Sequence, residues 1–149
     1  MDELGKLLFV DDESKLDSVY HEHISLLRRR YPVEASALSQ SVWDKILSEK
    51  YTVIIVGDIL EPVDLEVAEI DFRKQGNLRG IDLAVLINET ANPNRDTPLI
   101  YVGIQSPRAR KAYLTEKGIP TMLYCSYSGT SPIDLLGMVE FARIFFPLI

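Results

Sequence analysis

Cysteine is almost absent: Cys125 stands alone in 149 residues. A single cysteine excludes an internal disulfide and any cysteine-based zinc cluster. It suits a reducing compartment, so a cytoplasmic location is expected. Long apolar runs are also missing. None approaches the ~18 residues of a membrane span, and the acidic start MDELGK lacks the apolar core of a signal peptide. Positive charge is in deficit, with 16 Lys and Arg against 22 Asp and Glu and a net charge of −6. This balance argues against a direct nucleic-acid partner. Histidine is scarce too. His21 and His23 lie two apart on a helical stretch, hence on different faces, and read as surface residues rather than metal ligands or phosphodonors. There is no repeat, low-complexity tract or linker. The whole span 1–149 therefore reads as one domain with a single sizeable core.

Tyr51 to Pro62, YTVIIVGDILEP, is the stretch around which the chain is organised. Val53 to Val56 is continuously apolar and β-branched, the signature of a strand buried on both faces of a parallel sheet. It stops at Gly57, and Asp58 follows. A second such run, Leu7 to Val10, ends in Asp11, Asp12 and Glu13. Ligand and catalytic groups of such sheets sit beyond the carboxyl ends of the strands, so both runs deliver acids to the reactive edge.

The remaining elements alternate. Lys6–Val10 reads as a strand, with Ser14 as N-cap of a helix from Lys15 to Arg30 that buries Leu16, Val19, Tyr20, Ile24 and Leu27 and stops before Pro32. Val33–Leu38 is a strand. Ser41 caps a helix over Val42–Glu49. Leu83–Ile87 is helical, Asn88–Asp96 (NETANPNRD) is a turn-rich loop, and Thr97–Val102 is a strand ending at Gly103. A helix with a basic face (Arg108, Arg110, Lys111) runs from Ser106 or Pro107 to Gly118. Pro120–Tyr124 is the last strand. Ser131 and Asp134 form a partial capping box for a final helix carrying Leu135, Leu136, Val139, Phe141, Ala142 and Phe145. Five alternations predict an α/β, flavodoxin-like (βα)5 fold with a five-stranded parallel sheet and helices on both faces. Glu61–Arg79 fits neither period cleanly. It reads as a surface excursion or as a lid or docking loop over the acidic edge.

Asp11, Asp12 and Asp58 converge in this fold. Carboxylates so close raise one another's pKa values unless a cation sits among them. Mg²⁺ is the natural candidate, because it takes hard oxygen ligands and bridges carboxylate to phosphate. A carboxylate beside Mg²⁺ also serves as a nucleophile toward phosphorus. Taken singly, Asp11 and Asp12 could instead cap the next helix, and Asp58 could simply end a strand.

LLFVDDE followed by VIIVGDILEP resembles the receiver domain of bacterial two-component response regulators, and TPLIYVG and the Gly118 region extend the resemblance over nearly the whole chain. The resemblance implies that Asp58 accepts a phosphoryl group from a histidine kinase or phosphotransfer protein. It implies that Asp11 and Asp12 hold Mg²⁺ with the backbone carbonyl of Leu60, that a downstream effector protein reads the state, and that the domain is not itself an enzyme. Such a domain signals through another chain or through the rest of a longer protein.

Departures from the family pattern point to an atypical member. Gly103 stands where the family has a Thr or Ser hydroxyl; it offers only a backbone N–H to a phosphoryl group, and Ser106 lies three residues on. The family's lysine at the end of the fifth strand falls near Cys125, and no lysine occurs between Ile119 and Ile149. Its fifth-strand aromatic is displaced, with Met122 in that place and Tyr124 nearby. The alternative is a pseudo-receiver that binds partners without phosphorylation, through the excursion or through a docking face carrying Arg108, Arg110, Lys111, Tyr124 and Tyr127. A Mg²⁺-dependent phosphohydrolase ranks below both, because DILEP at Asp58 lacks the DxD arrangement of aspartate phosphatases. The apolar tail FARIFFPLI packs on the fold's own core or on a partner, and a homodimer stays open.

Overall fold

The computed structural model describes residues 5–57, 59–60, 78–103, 122–126 and 130–145. The strands are β1 (Leu7–Val10), β2 (Val33–Ser36), β3 (Val53–Gly57), β4 (Ile59–Leu60), β5 (Leu78–Arg79), β6 (Leu99–Gly103) and β7 (Met122–Ser126). The helices are α1 (Glu13–Asp17), α2 (His21–Arg28), α3 (Gln40–Ser48), α4 (Gly80–Glu89) and α5 (Pro132–Phe145).

The main sheet runs β2-β1-β3-β6-β7, and each neighbouring pair is parallel. The period of two along each strand sorts its side chains into two cores. Leu8, Val10, Ile54, Val56, Leu99 and Tyr101 face α3 and α4, where Trp43, Ile46, Leu83 and Ile87 cover them. Leu7, Phe9, Val53, Ile55, Ile100 and Val102 face α1, α2 and α5, with Leu16, Ile24, Leu27, Leu135 and Val139. This is the flavodoxin-like α/β arrangement. The acid-bearing strands β1 and β3 are adjacent at its centre, in the register Val10↔Val56.

Several elements differ from the sequence expectation. A second, two-stranded sheet pairs β4 with β5 antiparallel, Leu60 opposite Leu78. It brackets the stretch 61–77, which lies outside the described residues. The single helix expected over Lys15–Arg30 is two. The Tyr20 N–H reaches back five residues to the Lys15 carbonyl at 2.8 Å, and the Ser18 hydroxyl bonds the Ser14 carbonyl. The resulting wide turn leaves Val19 exposed while Leu16, Tyr20, Ile24 and Leu27 stay buried. Serine and threonine side chains that bond back to the i−4 carbonyl loosen helices in this way.

The caps also shift. Asp12, not Ser14, is the N-cap of α1: its backbone is extended and its carbonyl accepts from the N–H groups of Lys15 and Leu16, both at 3.0 Å. Ser39, not Ser41, caps α3, accepting from the Val42 N–H at 3.2 Å. The capping box of α5 is present, with Asp134 N–H to Ser131 Oγ at 3.2 Å and Ser131 N–H to Asp134 Oδ2 at 3.4 Å. β7 runs to Ser126, two residues beyond the expected end.

On α5 the buried face is Leu135, Val139 and Ala142, the i, i+4, i+7 stripe. Phe141 and Phe145, in the tail expected to pack on the fold's own core or on a partner, turn away from that stripe. They are 46% and 50% exposed and pack on each other at 4.8 Å between ring centroids.

Candidate functional site

Asp11 is the centre of the carboxyl-end edge. The register that sets Val10 beside Val56 carries one step further and sets Asp11 against Gly57. Its side chain is 1% exposed. A Cβ at residue 57 would lie 2.2 Å from Asp11 Oδ2, so only glycine leaves room for the carboxylate. Gly80 is needed for the same kind of reason, since a Cβ there would meet the Gly57 carbonyl oxygen at 1.9 Å. The start of α4 therefore closes tightly over the end of β3.

Asp11 Oδ1 accepts the Asp12 N–H at 2.7 Å, and Lys15 Nζ lies 3.6 Å from the same oxygen. Burial pushes the carboxyl up from 3.8 to about 6, against the pull of the Asp12 N–H and of the Lys15 charge. Desolvation disfavours the charged form, and here it outweighs both favourable neighbours. Such an acid gains from a cation.

Of the residues expected at the site, the fold brings Asp11 and Asp12 together at the end of β1 and sets Gly57 beside them. Asp58 itself lies outside the described residues. Leu60 is in β4. Gly103 ends β6, is buried, and stands opposite Ser126 in the β6–β7 register; Cys125 is one residue before, inside β7. Ser106, the basic helix with Arg108, Arg110 and Lys111, and Tyr127 lie outside the described residues. His21 is exposed as expected. His23 is not an ordinary surface residue: it is half-buried, its Nε2 bonds the Thr130 carbonyl at 2.7 Å, and its ring stands edge-on to Tyr20. A groove of about 280 Å³ between α1, α2 and β2, lined by Glu13, Asp17, His21 and Arg28 among others, does not include the acids at the strand ends.

Among the described residues no group of three His, Cys, Asp or Glu side chains is poised to hold a metal. Two hard carboxylates do meet at the edge, and Lys15 already places a positive charge beside one of them, so the donor set fits a divalent cation such as Mg²⁺. Two residues at this edge were not singled out from the sequence. Lys15 had a legible signal in its i, i+4 spacing from Asp11. The close approach of Gly80 to Gly57 had none, because it depends on where a distant helix begins. Among the described residues no helix is long and apolar enough to cross a membrane.

No protein-family model and no curated protein matches the sequence. Solved structures do. A CheY-like response regulator receiver domain protein from Methanospirillum hungatei superposes with a TM-score of 0.64 at 17% identity, covering 97% of this chain and 98% of the other. The fold is that of response regulator receiver domains. The receiver domain of Francisella response regulator 1452 matches with a TM-score of 0.63 at 16% identity, covering 93% and 96%. The BeF3-activated receiver domain of DrrB matches with a TM-score of 0.61 at 17% identity, over 93% and 96%; DrrB is an OmpR/PhoB homologue of Thermotoga maritima. Near-complete coverage in both directions makes the likeness one of whole domains.

Proposed function

We propose that this chain is an atypical receiver domain of a two-component phosphorelay, a signalling module rather than an enzyme with turnover. The observation that carries the reading is the buried Asp11 carboxylate pressed against Gly57, one residue before Asp58. A carboxylate buried at the end of a central parallel strand is costly for stability, and such groups concentrate at functional sites. In this reading Asp11 and Asp12, with Asp58 and the Leu60 carbonyl, hold Mg²⁺. These residues would hold the ion, whose positive charge would offset that of the clustered carboxylates and of a phosphoryl group. A carboxylate oxygen of Asp58 forms a bond to phosphorus as the bond from phosphorus to the donor's imidazole nitrogen breaks, and the free histidine leaves. The partners are a histidine kinase or phosphotransfer protein upstream and an effector protein downstream.

Gly103 and the absence of lysine after Ile119 favour a second reading for the output. A phosphoryl group at Asp58 would meet no strand-end hydroxyl at position 103 and no strand-end lysine, which weakens the link between phosphorylation and shape. The chain then works as a pseudo-receiver whose partner binding ignores the state of Asp58.

Beryllofluoride, the ligand named for the DrrB receiver, is the direct probe. The expected result is a set of NMR shifts at Gly57 and Gly103 that need both Mg²⁺ and beryllofluoride and vanish in Asp58→Asn. Shifts that persist in Asp58→Asn, or no response to either addition, would sink the phosphoacceptor reading. Partner binding unchanged by Asp58→Asn selects the pseudo-receiver.

A further inference from the structure

Among the described residues Asp11 has two partners on one oxygen: a backbone N–H at hydrogen-bond distance and the Lys15 ammonium at 3.6 Å. A nitrogen–oxygen distance of 3.6 Å is too long for a hydrogen bond, so the lysine contributes charge without directional bonding. Its backbone is anchored one turn beyond the acid, because the Lys15 N–H donates to the Asp12 carbonyl that caps α1. Its side chain is 32% exposed, with a path to solvent. The other lysine close to β1, Lys6, belongs to the opposite end of the strand, where it pairs with Glu34 and Glu49. Among the described residues, Lys15 is thus the lysine that the fold holds beside the buried acid.

We infer that Lys15 is an internal cation that occupies the charge position at Asp11 when no divalent ion is bound and swings out when one arrives. The inference rests on the proposed role of Asp11 as a metal ligand and adds a device to it: the resting edge is closed by the chain's own ammonium, and a divalent ion must compete with it. A flexible, one-third-exposed lysine suits that task. It is strongly hydrated and moves between partners through four rotatable carbons, whereas a planar guanidinium would lock onto the carboxylate. It follows that metal affinity is set partly by a residue that does not touch the metal, and that Lys15 acts by positioning.

The test is calorimetric titration of the whole chain with MgCl₂, comparing wild type, Lys15→Gln and Lys15→Arg, with Asp11→Asn as the control that removes the ligand. Lys15→Gln is expected to bind Mg²⁺ about five- to tenfold more tightly, the size of an ordinary coupling between neighbouring sites. Lys15→Arg, which keeps the charge, should stay at the wild-type affinity or below it. The melting temperature is the second readout. Without metal Lys15→Gln should melt lower than wild type, and saturating Mg²⁺ should close that gap. Equal affinities in wild type and Lys15→Gln, or weaker binding in Lys15→Gln, would overturn the competition while leaving the metal site standing. Absence of Mg²⁺ binding in wild type and both lysine variants would overturn the metal site and the competition with it.

Discussion

The two ends of the parallel sheet handle buried polarity in opposite ways. At the amino end Asn94, 0% exposed, plugs the gap between the α3–β3 turn and the loop before β6. Its Nδ2 donates to the carbonyls of Ile46 and Glu49, both at 2.7 Å, and its Oδ1 accepts the Tyr51 N–H at 2.8 Å and lies 3.0 Å from Thr97 Oγ1. Lys50 Nζ reaches Thr97 Oγ1 at 2.9 Å and Asp96 at 3.1 Å. Beside this plug, the Tyr51 hydroxyl donates to Glu34 at 2.6 Å, and Lys6 sits 4.8 Å from the centroid of the Tyr51 ring. At the carboxyl end Asp11 is as deeply buried, yet among the described residues it has one strong hydrogen bond and a distant ammonium. The amide at the amino end is neutral and fully paired, so it stabilises. The acid at the carboxyl end has fewer partners among the described residues, and burial raises its carboxyl pKa, so its charged form costs stability and gains from a cation. Buried polar groups are hydrogen-bonded as a rule, and the exceptions gather at functional sites.

This contrast breaks most visibly at Asn94. Asn94→Ala leaves the Tyr51 N–H and the Ile46 and Glu49 carbonyls without their partner, and a loss of about 4 kcal/mol is expected from urea unfolding followed through Trp43 fluorescence. Trp43 is the chain's one tryptophan and is buried. A loss below ~1 kcal/mol would mean that water replaces the amide and that the amino end is no better built than the other.

Asp11→Asn should act in the reverse direction. Its carboxyl titrates at about 6 in the fold against 3.8 ordinarily. The folded state therefore holds the proton more tightly than the unfolded chain. The stability from that proton is complete below pH 3.8 and is lost as pH rises through about 6. Two units correspond to about 3 kcal/mol. In the absence of divalent ions Asp11→Asn should then gain about 2–3 kcal/mol at pH 7 and flatten the pH profile between about 4 and 6. An Asn variant less stable than wild type at pH 7 would show that the acid is well paired after all.

Gly57→Ala comes next, with an expected loss of about 2 kcal/mol as the new Cβ drives the carboxylate aside. The double variant Gly57→Ala, Asp11→Ala should recover most of that loss, because the clash needs both groups. Simple additivity in this cycle would place the strain elsewhere. Tyr51→Phe is the mildest change. It removes the bond to Glu34 without opening a cavity, at an expected cost of about 1 kcal/mol by the same unfolding assay. Its effect should be insensitive to Mg²⁺, since the residue belongs to the amino end.

Much of this architecture is legible in single stretches of sequence. Val53–Val56 and Leu7–Val10 are apolar on every position, and a strand with that pattern has to be covered on both faces. Asp11 and Asp12, which end Leu7–Val10, then fall at the carboxyl edge without further information. The α5 cap is equally local, because Ser131 and Asp134 need only each other. The function of Asn94 is not local. Asn94 lies in a loop whose composition signals a turn and nothing more, and its partners Ile46, Glu49 and Tyr51 are more than forty residues away. Lys15, by contrast, is placed locally, four residues from Asp11 in the helix that Asp12 caps, and that helix ends in a turn after Asp17. The expectation of one continuous helix over Lys15–Arg30 concealed that turn, since the apolar spacing of Leu16, Tyr20, Ile24 and Leu27 is the same with or without it.

The sequence by itself determined the order of elements, the two buried central strands and the acids at their ends, because each follows from the hydrophobic period of a short segment and the residue that interrupts it. The tertiary structure decided what those acids meet. Gly57 and Gly80 admit the Asp11 carboxylate and the start of α4 to the same few ångströms. Partnership of this kind depends on distances between segments far apart in the chain, and those distances exist only once the sheet has been assembled and both of its faces are covered.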